Sequence, residues 1–508
     1  MLFSWLICAG AAAEANRPNI LWIMSDDHAA QGVGAYGGRL AALNPTPTID
    51  RLAREGVRLT NVFCSNSICT PARATLLTGQ YSHANGVLTL NDDLKPNQQV
   101  LPRLMHGAGY ATAMIGKWHL GCEPSAFDYY CVLPGQGTYF NPVFHDKNRG
   151  AWPNNQRQMI GSVVGHADAA LHVDDATTDI SLDWLKKRDR TKPFFLMHHF
   201  KSPHGNWENA ERYDFLYEDV KIPEPTNLRE GPSSRSAATA GLGSSIGKRN
   251  PRRNMGQQMS VDPRLPDDSY LGASYQRYLK KYLRCIRGID DNVARLLTAL
   301  ATSGDLDNTI IVYTSDQGLL TGEHDLYDKR WMYDESMRMP FIVRYPKSIR
   351  AGSTSAAMIT NVDFAPTLLD FVGVPAPATM QGRSFRTIME GGPTPAGWQT
   401  SVYYRYWMHL AHHDVPAHYG VRSADFKLIF YYGLPLGANG ALAKPTPPGW
   451  ELYDLRSDPE ENRNVYAEPK YAATVAALKM ELLRLKSAVG DTDEKYPELK
   501  RVREKFWQ

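Results

Sequence analysis

In the stretch NSICTPARATLLTG (66–79), Cys69 stands two residues before a proline and four before an arginine. The local pattern is a helix start. Thr70 can cap, Pro71 suits the first helical position, Ala72 to Leu77 are good helix formers, and Gly79 is a C-terminal stop. Cys69 is thereby expected just outside a helix N-terminus, where unpaired N–H groups and the helix dipole favour negative charge. A free cysteine is more often a small buried hydrophobe, so its meaning depends on what else reaches it.

Four short, continuously apolar segments have the style of parallel strands buried on both faces. Each runs into ionisable residues. NILWIM (19–24) leads to Ser25, Asp26, Asp27 and His28, and YATAMI (110–115) to Gly116, Lys117, Trp118 and His119. PFFLMHHF (193–200) leads to Lys201, Ser202, Pro203 and His204, and NTIIVYT (308–314) to Ser315, Asp316 and Gln317. Ligands of open α/β sheets sit at the carboxyl ends of strands. A single Asp after a strand is usually a turn former, but four loaded strand ends point to a site. The repeated Ser-Asp-Asp and Ser-Asp-Gln offer carboxylate and amide oxygens, ligands for a hard divalent cation. Without a Cys/His cluster, Ca²⁺ or Mg²⁺ is favoured over zinc.

The elements that must position these residues follow from periodicity. Helical patterns alternate with the strands, most clearly within 272–302, where Leu279, Leu283, Ile286, Ile289, Val293, Leu296 and Leu300 recur at three and four. This predicts an α/β sheet with helices on both faces. Residues 229–268, rich in Gly, Ser, Pro and Arg, read as a long loop inside one catalytic unit. Its run KRNPRR is either a contact for a polyanionic substrate or part of a solvated segment. After about residue 375 the pattern becomes antiparallel strands (SVYYRYW, HYGVRSADFKLIFYYG, WELYDL) with an amphipathic helix at 471–489. The expected organisation is a catalytic domain over 16–375 and an α+β subdomain over 376–508. Within 405–422 His409, His412, His413, Asp414, His418 and Arg422 interleave with Tyr and Trp. The spacing fits no zinc pattern and suits sugar recognition, with His413, Asp414 and His418 as the leading contacts.

At 508 residues the chain can bury a large core. Its net charge of +3 gives no general reason to expect nucleic acid. The start, MLFSWLICAGAAAEA, is expected to be a signal peptide over 1–15, implying a secreted or periplasmic protein. No later stretch predicts a membrane span. Six scattered cysteines (8, 64, 69, 122, 131, 285) make no disulfide scaffold; losing Cys8 with the signal leaves an odd number.

These residues resemble the type I sulfatases of the alkaline phosphatase superfamily. CTPAR (69–73) matches the C-x-P-x-R core, LLTG (76–79) extends it, and GKWHLG (116–121) matches the second signature. SDD (25–27) near the amino terminus, SPH (202–204) and SDQGLLTGEHDLYDKRWMYDESMRMPFIVRYP (315–346) keep the family's order, with TPTIDRLAREGVRLTNVF (46–63) and WELYDLRSDPEENRN (450–464) also similar. The resemblance implies a large mixed, mainly parallel sheet sandwiched by helices, plus a small C-terminal antiparallel sheet with one helix. It implies that a maturation enzyme oxidises Cys69 to formylglycine, whose hydrate attacks sulfur and later expels sulfate. Asp26, Asp27, Asp316 and Gln317 would hold Ca²⁺, Mg²⁺ being the lesser candidate; many relatives have Asn in place of Gln317. Arg73, one helical turn after Cys69, would reach back to the hydrate or metal. Lys117 and His119 would steady the hydrate, with His119 the base for its collapse. His204 would protonate the leaving oxygen, and Lys329 would bind sulfate. Asp93, Glu323 and His324 read either as supports of the site or as solvated loop residues, and Lys201 as pointing to solvent. The implied substrate is a sulfated saccharide from glycosaminoglycan or algal polysaccharide. The alternatives are a phosphomonoester or phosphonate-ester hydrolase of the same superfamily, and a catalytically dead saccharide-binding protein.

Overall fold

The computed structural model describes residues 17–163, 166–229 and 235–507; the expected signal segment, 1–15, lies outside them. The apolar runs become one ten-stranded sheet. Its strands are β1 (Asn19–Ser25), β2 (Val57–Leu59), β3 (Ala111–Lys117), β4 (Tyr129–Leu133), β5 (Val143–Asp146), β6 (Gln156–Gln158), β7 (Phe194–His199), β8 (Thr309–Ser315), β9 (Phe341–Arg344) and β10 (Ser353–Ser355). Their spatial order is β10-β2-β9-β8-β1-β7-β3-β4-β5-β6. The central β8, β1, β7, β3 and β4 run parallel, and antiparallel pairings begin on either flank.

β1, β7 and β8 are buried along their whole length, which is why they read as unbroken apolar runs. Alternate residues serve opposite layers. Leu21 and Ile23 join Ile180 of α2 (Val173–Lys187) and Leu283 and Ile286 of α3 (Asp267–Thr302). Ile20, Trp22 and Met24 join Ala74 and Leu77 of α1 (Cys69–Thr78) and Leu368 of α4 (Phe364–Phe371). Each such fully buried side chain stabilises by about 1.5–3 kcal/mol, so the sheet edge is carried by a stiff sandwich.

Register brings the chemistry together. Ser25 pairs with Ser315, Met24 with His199, and His199 with Gly116. The residues just beyond these pairs, Asp26, Asp316, Lys117 and Lys201, emerge side by side. The loops stay zipped past the strands: Asp26 N–H donates to the Ser202 carbonyl at 3.1 Å and Asp316 N–H to that of Ser25 at 3.2 Å. Gly116 is required here. Its φ is +100°, and a Cβ would lie 1.9 Å from the His199 carbonyl oxygen.

α1 starts two residues earlier than its sequence suggests. Ile68, extended at φ −144° and ψ 149°, is the N-cap, and its carbonyl accepts from Ala72 N–H at 3.0 Å. The Thr70 hydroxyl is buried without a partner, so the expected cap is not used. Cys69 is therefore the first helical residue. Gly79 ends the helix as expected, in the left-handed region at φ 62°.

Between residue 235 and the start of α3 at Asp267, the long loop has one helical turn, Met255–Gln258. It is packed rather than solvated. Ser236 and Thr239 hydroxyls donate to Glu451 at 2.9 and 2.6 Å, and Arg249 pairs with Asp325 at 3.0 Å.

The C-terminal strands β11 (Ser401–Tyr406), β12 (His418–Ser423), β13 (Phe426–Tyr431) and β14 (Gly449–Asp454) form an antiparallel sheet in that order. α5 (Ala472–Val489) covers it through Val475, Leu478 and Leu482, and a further helix, α6 (Pro497–Phe506), adds Leu499. The edge strand β11 bears directly on Cys69. Arg405 N–H donates to the Ser65 carbonyl at 3.0 Å. The Tyr404 hydroxyl accepts from Ser67 N–H at 3.3 Å and donates to the Arg330 carbonyl at 2.6 Å. One side chain thus ties the segment before Cys69 to the segment after Lys329.

Tyr404→Phe strands two buried backbone groups. It is expected to lower the unfolding free energy by about 1–3 kcal/mol, read as a lower urea midpoint at unchanged slope. An unchanged midpoint would show that this hydroxyl carries no load.

Candidate active site

Asp26, Asp27 and Asp316 leave adjacent strands β1 and β8, are buried, and bring one carboxylate oxygen each to within 4.8 Å of one another. Asp27 N–H and Gln317 N–H both donate to Asp316 Oδ1 at 3.1 Å. Three cations compensate them one for one. Arg73 holds Asp316 Oδ2 with Nε at 3.1 Å and a terminal nitrogen at 2.9 Å, and also donates to the Lys117 carbonyl at 2.7 Å. Lys117 Nζ hydrogen-bonds to Asp26, and Lys329 Nζ to Asp27. Burial alone would raise Asp26, but Lys117, helped by Arg73 and Lys329, holds it well below the usual carboxylate range. Burial and then Asp26 push Asp316 up to about 7, and burial likewise leaves Asp27 raised despite Lys329.

That imbalance is the mark of a cation site. Burial, joined at Asp316 by the neighbouring Asp26 carboxylate, outweighs what the paired side-chain cations relieve. Gln317 adds an amide whose Nε2 hydrogen-bonds to Asp27 and whose Oε1 is buried without a partner. Three carboxylates and an orphaned amide oxygen fit a hard divalent ion.

Cys69 lies against this group. Its Sγ is 3.4 Å from Asp26 Oδ1 and 3.9 Å from both Lys117 Nζ and Gln317 Nε2. Burial and Asp26 push the thiol up to about 12. A cysteine nucleophile needs the opposite shift; here burial and Asp26 favour the protonated thiol. His204 Nε2 is 3.8 Å from Asp27 Oδ2, with Nδ1 buried and unpartnered. Burial, then Lys117, depress it well below the ordinary histidine range. His119, at φ 54°, is depressed to about 2 by burial, Lys117 and Arg73, and its Nδ1 also lacks a partner. Both imidazoles are neutral.

A cavity of about 400 Å³ opens above Cys69, with Asp27, His204, Lys329 and His413 in its lining. Lys201 lines it too. Contrary to the expectation that it points to solvent, it is 4% exposed. It follows β7 at the sheet edge, donates to the Gln136 carbonyl at 3.0 Å, and lies over the Tyr139 ring. Gln136, between Gly135 and Gly137, also accepts from Lys117 Nζ at 2.6 Å. Asp328 and Arg330 flank Lys329, pair with each other and line the same wall. Sequence reasoning missed Gln136, Asp328 and Arg330. The ionisable run Asp-Lys-Arg after Tyr327 was the available signal for the last two.

Of the expected saccharide contacts, one stands at the cavity, one at a chamber beside it, and one at neither. His413 Nε2 is 3.4 Å from Asp328, and its Nδ1 meets Ser244 Oγ at 2.9 Å. Asp414 lines an adjoining chamber. His418 is a correction: it is fully buried, bonded to the Pro416 carbonyl at 2.7 Å, with the rings of Tyr404, Tyr406 and Tyr431 centred 5.5, 5.6 and 4.8 Å away. The His and Tyr interleaving that suggested a sugar platform is here an aromatic core. Asp93 is exposed and outside the cavity. Glu323 and His324 are buried rather than solvated: Glu323 pairs with Arg39 at 2.6 Å, and His324 stacks on Tyr333 at 4.4 Å. Positive φ recurs around the cleft at Asp27, His119, Asp328, Arg330, His412 and Asp414. Such non-glycine strain gathers at functional sites.

Residues 18–374 match the family model described as sulfatase, and 322–488 that described as N-sulphoglucosamine sulphohydrolase, C-terminal. The chain is 38% identical to an N-acetylglucosamine-6-O-sulfatase of Bacteroides thetaiotaomicron, over 94% of this chain and 88% of the relative. A solved structure described as in complex with its substrate, D-glucosamine-2-N,6-O-disulfate, superposes with a TM-score of 0.83 at 36% identity, covering 95% of this chain and all (100%) of the other. A phosphonate monoester hydrolase of Agrobacterium radiobacter shares the fold, with a TM-score of 0.69 at 22% identity over 93% of this chain and 96% of its own. With five ordered motifs converging on one buried cleft, the chain belongs to the sulfatase family of the alkaline phosphatase superfamily.

Proposed function

We propose that this sulfatase removes sulfate from a sulfated amino sugar, with a 6-O-sulfated glucosamine unit of a glycosaminoglycan as the leading substrate. The observation that carries the reading is the placement of Cys69. Its thiol is held protonated between Asp26 and Lys117, at the floor of a cavity walled by Lys, His, Asp and Arg. A residue so placed is useless as a thiolate but well placed as a precursor. The substrate class is supported by the relative named N-acetylglucosamine-6-O-sulfatase and by the neighbour bound to a glucosamine disulfate.

In this reading Cys69 is matured to formylglycine by a separate enzyme, and its hydrate supplies both the oxygen that attacks sulfur and the hydroxyl whose deprotonation expels sulfate. Asp26, Asp27, Asp316 and Gln317 would hold Ca²⁺, which supplies Lewis-acid polarisation and neutralises developing charge. Lys329, and with it Lys117 and Lys201, present ammonium groups to the ester oxygens. Arg73 fixes Asp316 and the Lys117 backbone. His204, at the cavity wall, donates a proton to the leaving alcohol from its imidazolium form, which a bound anionic ester favours. His119, neutral with an unpartnered Nδ1, accepts the proton lost when the adduct collapses. Asp328, Arg330 and His413 offer acceptors and donors to sugar hydroxyls.

No member of the expected metal and nucleophile set is missing, Gln317 keeping the amide oxygen that Asn offers in many relatives, which speaks against the dead binding protein. The likeness to phosphonate hydrolases concerns the fold. Secretion or export to the periplasm belongs to the same proposal. Among the described residues, no helix is long and apolar enough to cross a membrane.

Ion chromatography on N-acetylglucosamine 6-O-sulfate and the matched 6-phosphate tests the reaction. Sulfate is expected to be released with kcat/KM about tenfold or more above phosphate, and Cys69→Ala to abolish it. Faster phosphate release would move the enzyme to the phosphoester class. Ca²⁺ is expected to raise the melting temperature of the chelator-treated protein but not of its Asp316→Ala variant; equal shifts would place the ion elsewhere.

A further inference from the structure

The cavity above Cys69 is open on its far side. Gln258, Tyr327, His412 and His413 line both it and a second chamber of about 870 Å³. The outer wall of that chamber carries Arg252 and Arg253. The fold splits the basic run KRNPRR. Lys248 donates to the Leu265 carbonyl at 2.8 Å and pairs with Asp267 at 3.0 Å, and Arg249 pairs with Asp325 at 3.0 Å. Those two cations serve the packing of the loop. Arg252 and Arg253, both exposed, line the chamber.

Their turn is built, not loose. The Asn250 side chain, 5% exposed, accepts from the backbone N–H of Arg252 at 3.1 Å and of Arg253 at 3.2 Å. Its Nδ2 donates to the Gly243 carbonyl and to Asp414 Oδ2, both at 3.0 Å. Asp414 lies 3.7 Å from the Arg252 guanidinium and offsets part of that charge. Among the described residues, no carboxylate lies within ion-pair distance of Arg253. A guanidinium held on a fixed turn, unpaired and facing a cavity continuous with the site, favours an anion there.

We propose that the second chamber binds a second anionic group, sulfate or carboxylate, on the saccharide whose scissile sulfate sits at Cys69, so that the preferred substrate carries at least two anionic substituents. This rests on the saccharide-sulfatase reading above. The second anion belongs either to the same sugar or to the next one along the chain. The chamber volume falls within the range of whole ligand pockets, so a further sugar fits.

The test compares wild type with the double variant Arg252→Ala/Arg253→Ala on three substrates. Glucosamine 6-O-sulfate has one anion. Glucosamine 2-N,6-O-disulfate has a second on the same sugar. A disaccharide of 6-O-sulfated glucosamine and a uronic acid has it on the neighbour. Wild type is expected to favour at least one doubly charged substrate by about tenfold in kcat/KM, through KM. The double variant is expected to lose that ratio, and added salt to narrow it in wild type. Whichever doubly charged substrate carries the preference locates the second anion. No preference in wild type, a preference kept by the double variant, or a proportional loss on all three substrates overturns the proposal alone. Sulfate release from none of the three overturns the saccharide reading, and the proposal with it.

Discussion

The constraint on which the rest depends is the burial of three carboxylates within 4.8 Å of one another. Burying a single ion costs several kcal/mol unless it is paired and hydrogen-bonded. Here each carboxylate has its own cation, and each cation arrives from a different part of the chain: Arg73 on α1, Lys117 at the end of β3, and Lys329 on the loop after β8. The pairing fixes the relative positions of helix, strand and loop. It also leaves formal charges of −3 and +3 in balance, so an incoming sulfate ester needs further positive charge. Lys201, which lines the cavity, would supply some of it, and a divalent cation on the orphaned Gln317 oxygen would supply more.

The same electrostatics disfavour a thiolate at Cys69. A position at a helix start beside a lysine ordinarily favours a thiolate. Full burial and the Asp26 carboxylate 3.4 Å away outweigh both. The surroundings suit a neutral group that exchanges protons with nearby imidazoles, and His119 and His204 are both held neutral. The small C-terminal sheet completes the setting, because Tyr404 reaches from β11 to both sides of the cleft.

Much of this was legible in the sequence, for a physical reason. A parallel sheet buried on both faces writes each central strand as an apolar run, and the polar residues that end the run are the ones at the ligand edge. Asp26, Asp316, Lys117 and His204 are found that way. What escaped was set by contacts distant in sequence. Thr70 has cap chemistry, but the turn at Ile68 starts the helix first. Lys201 looks like a solvated lysine until Gln136 and Tyr139 close around it. His418 resembles its neighbour His413 in composition, yet strand alternation turns it into an aromatic core. The basic run at 248–253 divides between packing and cavity according to partners, Asp267 and Asp325, that no local pattern could assign.

The most direct test is the state of Cys69 in protein that releases sulfate. After thiol alkylation, the tryptic peptide Leu59–Arg73 contains Cys64 and Cys69. The account predicts one alkylated thiol, at Cys64, and an aldehyde at position 69 that is captured by a hydrazine reagent. Two alkylated thiols in a preparation with full sulfatase activity would contradict it.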